Sequence, residues 1–316
     1  MKKDYRKRKK KKQQYRIRNW SEYNKALARR GSLTFWFDED AIHSWRNQQQ
    51  TGKRGKPRIY GDACIQVMLT LKAVYHLPQR ATYGRVGSLL ELLGVDLPVP
   101  HPSILSRRAD GLDVALPGAR KNEPLHVLVD ATGLKVYGEG EWKVRTHGVG
   151  KRRTWRKLHL ALNAQTGEIL ASVCTTSNVS DKEVLPILLA QINCQIEQLT
   201  GDGGYDYVDC YEVIAERQAR AVIPPRRTGR LRPADDRFRA RDSNLRRIKQ
   251  VGRKQWKRES QYHRRSLAET AMMRQKTIFG GSLSSRRFNN QATEMNVRCA
   301  ALNRMTQLGM PESYAI

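Results

Sequence analysis

Two aspartates in this sequence stand at positions where carboxylate chemistry is often found. Asp130 ends the apolar run LHVLVD, and Asp202 ends the run IEQLTGD. Both runs predict buried strands that end on a carboxylate, and α/β folds place their active sites at such strand ends. A strand-end aspartate taken singly is more often a turn former or a helix cap, so the pair alone is a weak signal.

A third carboxylate, Glu269, lies in the segment YHRRSLAETAMMRQK, for which we predict one long helix over about 259–277. Residues at i, i+3, i+7 and i+14 of this helix share one face: Tyr262, Arg265, Glu269 and Lys276. Such a face suits contact with a metal ion and phosphate together, with Glu269 as metal ligand. Arg265 and Lys276 would hold phosphates. Tyr262 would stack on, or hydrogen-bond to, a nucleic-acid strand.

The composition limits the classes of function. The chain has 316 residues and a formal net charge of +29, and a protein so charged repels itself unless it meets a polyanion. DNA is the first candidate, through phosphate contacts, and an anionic membrane surface is a distant alternative. No apolar run is long enough to span a bilayer, and the basic start of the chain is not a signal peptide. We therefore expect a cytoplasmic protein without membrane contact.

The cysteines give little support to a covalent or zinc-based scaffold. Five are scattered along the chain, and no two form a C-x-x-C pair. An odd number without this spacing argues against both a disulfide framework and a zinc finger. We expect reduced thiols that fill the core.

The elements that would position the carboxylates begin at residue 125. The runs KLHLALN and EILASVC flank a glycine-containing turn and predict a β-hairpin. Ser180 and Glu183 form an S-x-x-E capping box that opens a helix. The predicted order β-β-β-α-β-α-β is that of an α/β domain with a mixed sheet. Asp206 and Asp209 are expected to cap the short helix that follows Asp202.

Short helices are predicted upstream of this domain, over 62–77, 83–93 and 103–112. Arg107 and Arg108 on the last of them favour a helix-turn-helix type of DNA-binding module, and a plain helical bundle is the alternative. Further upstream, apolar residues alternate in LTFWF (33–37), which predicts a short strand.

Four regions follow from these patterns. We expect residues 1–60 to form a basic arm with a small element, and residues 61–120 to form the helical region that is the candidate DNA-binding module. Residues 121–281 are expected to form the catalytic domain, and residues 282–316 a C-terminal helix that packs on the core. The catalytic domain contains a segment dense in Arg and Lys, 226–258, which is either a solvated loop or a surface that follows a phosphate backbone.

The late segment resembles a known family signature. Y-x2-R-x3-E-x6-K is the motif of DDE transposases of bacterial insertion sequences, and Tyr262, Arg265, Glu269 and Lys276 match each position. DGGYDY at Asp202 is similar to the second block of that family, D-x-G-x-x-Y, and VDATG around Asp130 is similar to the first. RNWSEYNKALARRGSLTFW and RTWRKLHLALNAQTGEI resemble the insertion-sequence-five family in particular. The likeness extends over most of residues 15–308.

This resemblance implies a ribonuclease-H-like mixed sheet with flanking helices, preceded by the small helical DNA-binding region. It implies Asp130, Asp202 and Glu269 as the catalytic triad and metal ligands, with Mg²⁺ or Mn²⁺ as cofactor, as two ions. The implied substrate is double-stranded DNA, both element ends and target, which is cleaved and then joined. The implied assembly is a homodimer or a larger synaptic complex, associated with the bacterial nucleoid.

Three arginines around the sequence HGVGKRR are further candidates for DNA contact: Arg152, Arg153 and Arg156. Their glycine-containing surroundings lack G-x-x-x-x-G-K-[ST], so a basic turn between strands is favoured over a phosphate loop.

Two other functions remain open at this point. The first is a ribonuclease-H-like nuclease or resolvase that cuts DNA without joining it. The second is a non-catalytic DNA-binding repressor derived from a transposase. The intact set of three carboxylates argues against the second, and a strand-transfer assay with pre-cut ends separates the first.

Overall fold

A computed structural model describes residues 14–47, 58–116, 123–136 and 155–316. The basic start of the chain, Arg152 and Arg153 lie outside the described residues. No helix within the described ranges is long and apolar enough to cross a membrane.

A mixed six-stranded sheet forms the centre of the molecule. Its strands are β2 (Leu125–Val136), β3 (Trp155–Asn163), β4 (Ile169–Thr176), β5 (Ile196–Thr200), β6 (Arg220–Val222) and β7 (Ser282–Leu283). The first three are antiparallel, β5 and β6 run parallel to β2, and the order is β4-β3-β2-β5-β6, with β7 pairing to β2. The mixed sheet expected from the order of elements is therefore confirmed.

Helices cover both faces of the sheet, because successive residues of a buried strand point to opposite sides. On one face, α7 (Asp181–Ala190) and α8 (Val208–Glu216) bury Leu185 and Ile214 against Val127 and Val129. The capping box predicted at Ser180 and Glu183 begins α7. The opposite face buries Leu128 and Leu160.

That opposite face is covered by late and early helices together. The late ones are α10 (Ser266–Phe279) and α11 (Phe288–Gln307). The early ones are α1 (Trp20–Arg30), α2 (Leu33–Trp36), α3 (Glu39–His43), α4 (Asp62–Val74), α5 (Gln79–Leu92) and α6 (Pro102–Arg108). Met68 of α4, Val86 of α5 and Leu105 of α6 share one core with the sheet residue Leu128. A small sheet of β1 (Tyr15–Ile17) and β8 (Ser313–Ala315) joins the two ends of the described chain. Flanking helices on both faces agree with the ribonuclease-H-like fold expected above.

The short strand predicted at 33–37 is wrong, because these residues form α2. The helical turn buries Trp36 completely and lets its indole N–H donate to the carbonyl of Arg30 at 2.8 Å. A strand would place Trp36 and Phe37 on opposite sides, whereas both are buried here.

The segment 226–258 is not wholly a loop, since residues from 239 onward form α9 (Arg239–Glu259), interrupted at Gly252 with φ 78°. The single helix predicted over 259–277 is also wrong. It is broken at Gln261, whose φ is 55°, and a 3₁₀ turn, Tyr262–Arg265, precedes α10.

Candidate active site

Asp130 lies within a strand and not at its end, which corrects the sequence prediction. It is in the middle of β2, opposite Leu160 of β3. On its other side, β2 pairs with β5 as far as Leu128 and with β7 from Lys135. Asp130 therefore lies just beyond the parallel pairing with β5, at the edge of the sheet where β5 also ends.

Asp202 follows β5 by two residues and is fixed by its own loop. Its Oδ1 accepts a hydrogen bond from the N–H of Gly204 at 2.7 Å and begins the 3₁₀ turn Gly203–Tyr205. Tyr205 is buried directly beneath, so close that a Cβ on Gly201 would lie 2.8 Å from its ring. The packing of Tyr205 on Gly201 thus sets the position of Asp202.

Arg265 connects the first and third carboxylates. Its Nη1 donates to Oδ2 of Asp130 at 2.9 Å, and its Nη2 donates to Oε1 of Glu269 on α10. The Asp130 side chain is 17% exposed, whereas that of Glu269 is 57% exposed. A guanidinium therefore bridges a partly buried carboxylate and an exposed one.

The charges around Asp130 act on one another. Burial raises the pKa of Asp130, and the charges of Asp202 and Glu269 raise it further, while the N–H of Ala131 and Arg265 oppose the shift. Burial lowers the pKa of Arg265, but Tyr262, Asp130 and Glu269 outweigh it and raise that pKa overall. Arg265 consequently stays charged, and Asp202 and Glu269 each lie within electrostatic range of Asp130 and of Arg265.

Tyr262 and Lys276 complete the surroundings of this site. Tyr262 is packed against Trp256 with 5.8 Å between ring centroids, and burial raises its pKa. Lys276 lines a cleft of about 520 Å³ together with Asp130, Glu269 and Met273. The broken helix thus still brings Tyr262, Arg265, Glu269 and Lys276 to one place, although not as one regular helical face.

The donor chemistry at this site fits a divalent cation such as Mg²⁺, which prefers hard carboxylate oxygens. The spacing is a separate matter. Among the described side chains, no three of His, Cys, Asp and Glu are close enough to hold a metal ion. Arg265 explains this spacing, because its positive charge stands between Asp130 and Glu269, where a cation would bind.

Arg156, the one described member of the basic turn, is held against α11. Its Nε donates to Oε1 of Gln291 at 2.7 Å, and its guanidinium lies 5.5 Å from the ring centroid of Phe288. The guanidinium is therefore partly used within the protein, and DNA contact by Arg156 stays a prediction.

The prediction that Asp206 caps a helix is wrong. It is buried, and it accepts hydrogen bonds from the Tyr211 hydroxyl at 3.0 Å, from Nε of Arg241 at 3.0 Å and from the N–H of Arg226 at 2.9 Å. The residue that begins α8 is Tyr207, and Asp209 lies in the first turn of that helix. Asp206 instead connects the loop of Asp202 to the basic segment 226–258. The sequence alone could not predict this role, because it depends on contact with Arg241.

Family comparison agrees with the geometry. Two family models, each described as a transposase DDE domain, match residues 28–139 and residues 121–304. The second match covers more than half of the chain. This protein belongs to the DDE transposase family. It is accordingly a DNA transposase, an enzyme that depends on divalent metal ions and has DNA as its partner.

Among solved structures, the chain is similar to the piggyBac transposase in a synaptic complex with hairpin DNA. The identity is 11%, the TM-score is 0.42, and the match covers 88% of this chain and 73% of the other. The family assignment depends on the two domain matches alone.

Proposed function

We propose that Asp130, Asp202 and Glu269 are the metal ligands of this transposase and that two ions, Mg²⁺ or Mn²⁺, bind there. The main support for the proposal is that Arg265 bonds both Asp130 and Glu269, beside Asp202. A site that places a cationic side chain between two carboxylates already has the charge pattern that a metal ion requires.

The side chains at this site have two roles, metal binding and phosphate binding. Bound divalent ions supply the Lewis acidity that assists phosphodiester hydrolysis and the later attack of a 3′-hydroxyl on target DNA. Asp130 offers a ligand from the rigid sheet, and Asp202 offers one from the loop packed on Tyr205. Lys276, at the same cleft, holds the phosphate of the reacting strand, and Arg265 moves to that phosphate when it leaves the carboxylates.

We propose residues 61–120 as the region that reads the element ends, and 121–281 and 282–316 as the catalytic domain and its C-terminal support. On α6, Arg108 is bound to Asp62 and to the carbonyl of Tyr60 at 2.9 Å, whereas Arg107 is exposed. Arg107 is therefore the better candidate for DNA contact. Arg152, Arg153 and Arg156 are proposed as further DNA contacts.

The proposal also covers the family of mobile element and the oligomeric assembly of the transposase. The sequence likeness favours the insertion-sequence-five family, and two DNA ends that must be joined favour a homodimer or larger synaptic complex on DNA. Such a reaction takes place on chromosomal DNA, at the nucleoid in the bacterial cytoplasm.

Glu269→Gln tests the proposal against the matched control Glu197→Gln, an exposed glutamate on β5 away from the site. With Mg²⁺ and duplexes that carry the inverted repeats flanking the coding frame, Glu269→Gln should lose end cleavage by about a hundredfold or more. Glu197→Gln should cut normally, and both should bind the ends. Retained cleavage by Glu269→Gln would disprove the triad. Cleavage by the wild type without joining of pre-cut ends would instead indicate a nuclease.

A further inference from the structure

A second positively charged surface lies on the Asp202 side of the site. We call residues 226–232 the arginine loop, since Arg226, Arg227, Arg230 and Arg232 are all exposed there. The loop begins close to the site, because the carbonyl oxygen of Pro224 lies 3.6 Å from where a Cβ on Gly203 would be. Gly203 directly follows Asp202 in the chain, so the arginine loop starts beside that carboxylate.

Buried charges hold the backbone of the arginine loop. The N–H of Arg226 donates to Oδ2 of Asp206 at 2.9 Å, and the N–H of Arg232 donates to Oδ2 of Asp242 at 2.7 Å. Between them, Nη1 of Arg241 donates to the carbonyl of Arg230 at 3.0 Å. Asp206, Arg241 and Asp242 are all buried. Burying such charges is costly, and here they fix a loop whose own side chains point outward.

The close packing of the loop supports the same conclusion. A Cβ on Gly229 would lie 2.6 Å from Nη2 of Arg241 and 3.0 Å from the carbonyl oxygen of Arg226. The loop therefore wraps directly onto the buried guanidinium and is held at its start, middle and end.

Tyr207 adds an aromatic surface next to the loop. Its side chain is 37% exposed, with the guanidinium carbon of Arg226 at 5.1 Å and Nζ of Lys182 at 4.7 Å from the ring centroid. Nη2 of Arg226 also donates to the Tyr207 hydroxyl at 2.9 Å. Cations around an exposed aromatic ring are the combination with which proteins bind nucleic-acid strands.

The neighbouring acidic groups are engaged with other partners. Asp206 pairs with Arg241, and Asp235 pairs with Arg237 at 2.9 Å. These carboxylates therefore do not account for the positive charge of Arg226 and Arg230, and a polyanion is the ligand that this surface fits.

We propose that the arginine loop, with Tyr207 and Lys182, binds the phosphate backbone of a DNA strand beside Asp202. The site would guide that strand toward the three carboxylates from the side of Asp202. The position of this DNA strand relative to the site of cleavage rests on the proposed function of Asp202. Backbone binding itself requires neither metal ions nor cleavage.

The test measures DNA affinity against salt concentration, with a random-sequence duplex and EDTA. The variant is the triple Arg226→Gln, Arg230→Gln, Arg232→Gln. The matched control removes three exposed cations elsewhere: Lys25→Gln, Arg29→Gln, Arg220→Gln. Each lost phosphate contact lowers the slope of log affinity against log salt by about 0.9. We expect the loop triple to lower the slope by about 2 to 3 and the control triple by less than about 1. Equal slopes for the two triples would overturn the proposal.

Tyr207 provides a second measurement that charge removal does not affect. Tyr207→Ala should weaken binding by about fivefold, whereas Tyr207→Phe, which keeps the ring, should bind nearly as well as the wild type. Equal affinity of Tyr207→Ala and the wild type would remove Tyr207 from the site. Because both measurements are made without metal ions, they remain informative even if Glu269→Gln retains cleavage.

Discussion

Arg265 and Asp130 are joined by a hydrogen bond of 2.9 Å, and the same guanidinium also bonds Glu269. The positive charge thereby stabilises two carboxylates that would otherwise repel each other. A metal ion that binds these carboxylates competes with Arg265 for the same oxygens. Arg265 therefore lowers the affinity of the site for metal ions while it keeps the ligands together.

Arg265→Gln should accordingly bind Mn²⁺ more tightly than the wild type in the absence of DNA. The gain should be about tenfold to a hundredfold, because a charge-assisted hydrogen bond contributes about 1.5–3 kcal/mol and 1.4 kcal/mol is a factor of ten. Titration calorimetry measures the affinity. The neighbouring Arg264→Gln, whose Nη1 bonds the carbonyl of Ala164 at 3.1 Å, should leave it unchanged. Weaker Mn²⁺ binding by Arg265→Gln would show that Arg265 assists, and does not compete with, the metal ion.

Gly201→Ala should destabilise the protein and displace Asp202. The new Cβ would lie 2.8 Å from the Tyr205 ring and 3.1 Å from Val129, so the core must shift, at a cost of about 1–3 kcal/mol. Gly84→Ala is the matched control, since it lies inside α5 with nothing within 4 Å of its Cβ. That substitution should stabilise the protein by about 0.5–1 kcal/mol. Thermal denaturation measures whether each variant is less or more stable than the wild type. A Gly201→Ala variant more stable than the wild type would contradict the packing described for Asp202.

Patterns that depend on neighbours in sequence were predictable here. The helix that begins at Asp62, the hairpin of β3 and β4, and the capping box at Ser180 each depend on a few adjacent residues. The position of Asp130 within its strand was not predictable. The run of apolar residues stops where β2 faces the cleft, and not where β2 ends. A polar residue in a strand gives the same signal in both cases.

The break before Tyr262 and the role of Asp206 depend on residues far away in the chain. Neither Gly nor Pro marks the break, and Nε2 of Gln198 instead holds the carbonyl of the buried Ser260 at 3.0 Å. Asp206 meets Arg241 across 35 residues. Contacts of this range are set by the packing of α9 on the sheet at β6, where Nδ2 of Asn244 donates to the carbonyl of Ala221 at 2.9 Å, and spacing alone does not reveal them.

Asp206→Ala should cost about 3–5 kcal/mol of unfolding free energy, because it removes the closer carboxylate partner of the buried Arg241 and leaves the more distant Asp242, 3.7 Å from Nη1. The control is Asp235→Ala, which breaks the more exposed pair between Asp235 and Arg237 and should change stability little. Urea denaturation of both variants measures the difference. If the two substitutions cost the same, the buried pair does not anchor the Asp202 loop and the arginine loop together.

Acid should destabilise the protein through His126 and His159, both of which are buried. Burial lowers the pKa of each to about 4, with Arg264 acting in the same direction on His126, and Asp181 opposing it at His159. The unfolded chain takes up these protons near pH 6.5, whereas the folded chain does not until about pH 4. The stability that each neutral histidine contributes is therefore present above pH 6.5 and is lost as the pH falls toward 4.

Each histidine should account for a loss on the order of 3 kcal/mol over that range. Burial keeps His126 neutral, and its Nε2 lies 3.0 Å from Nε2 of Gln198 and 2.9 Å from the hydroxyl of Thr200. His126→Gln should therefore flatten the fall in unfolding free energy between pH 7 and pH 5, measured by urea denaturation at several pH values. The exposed His263→Gln is the control and should retain the wild-type slope. An unchanged slope in His126→Gln would mean that the contacts between β2, β5 and the Ser260 turn do not depend on a neutral imidazole.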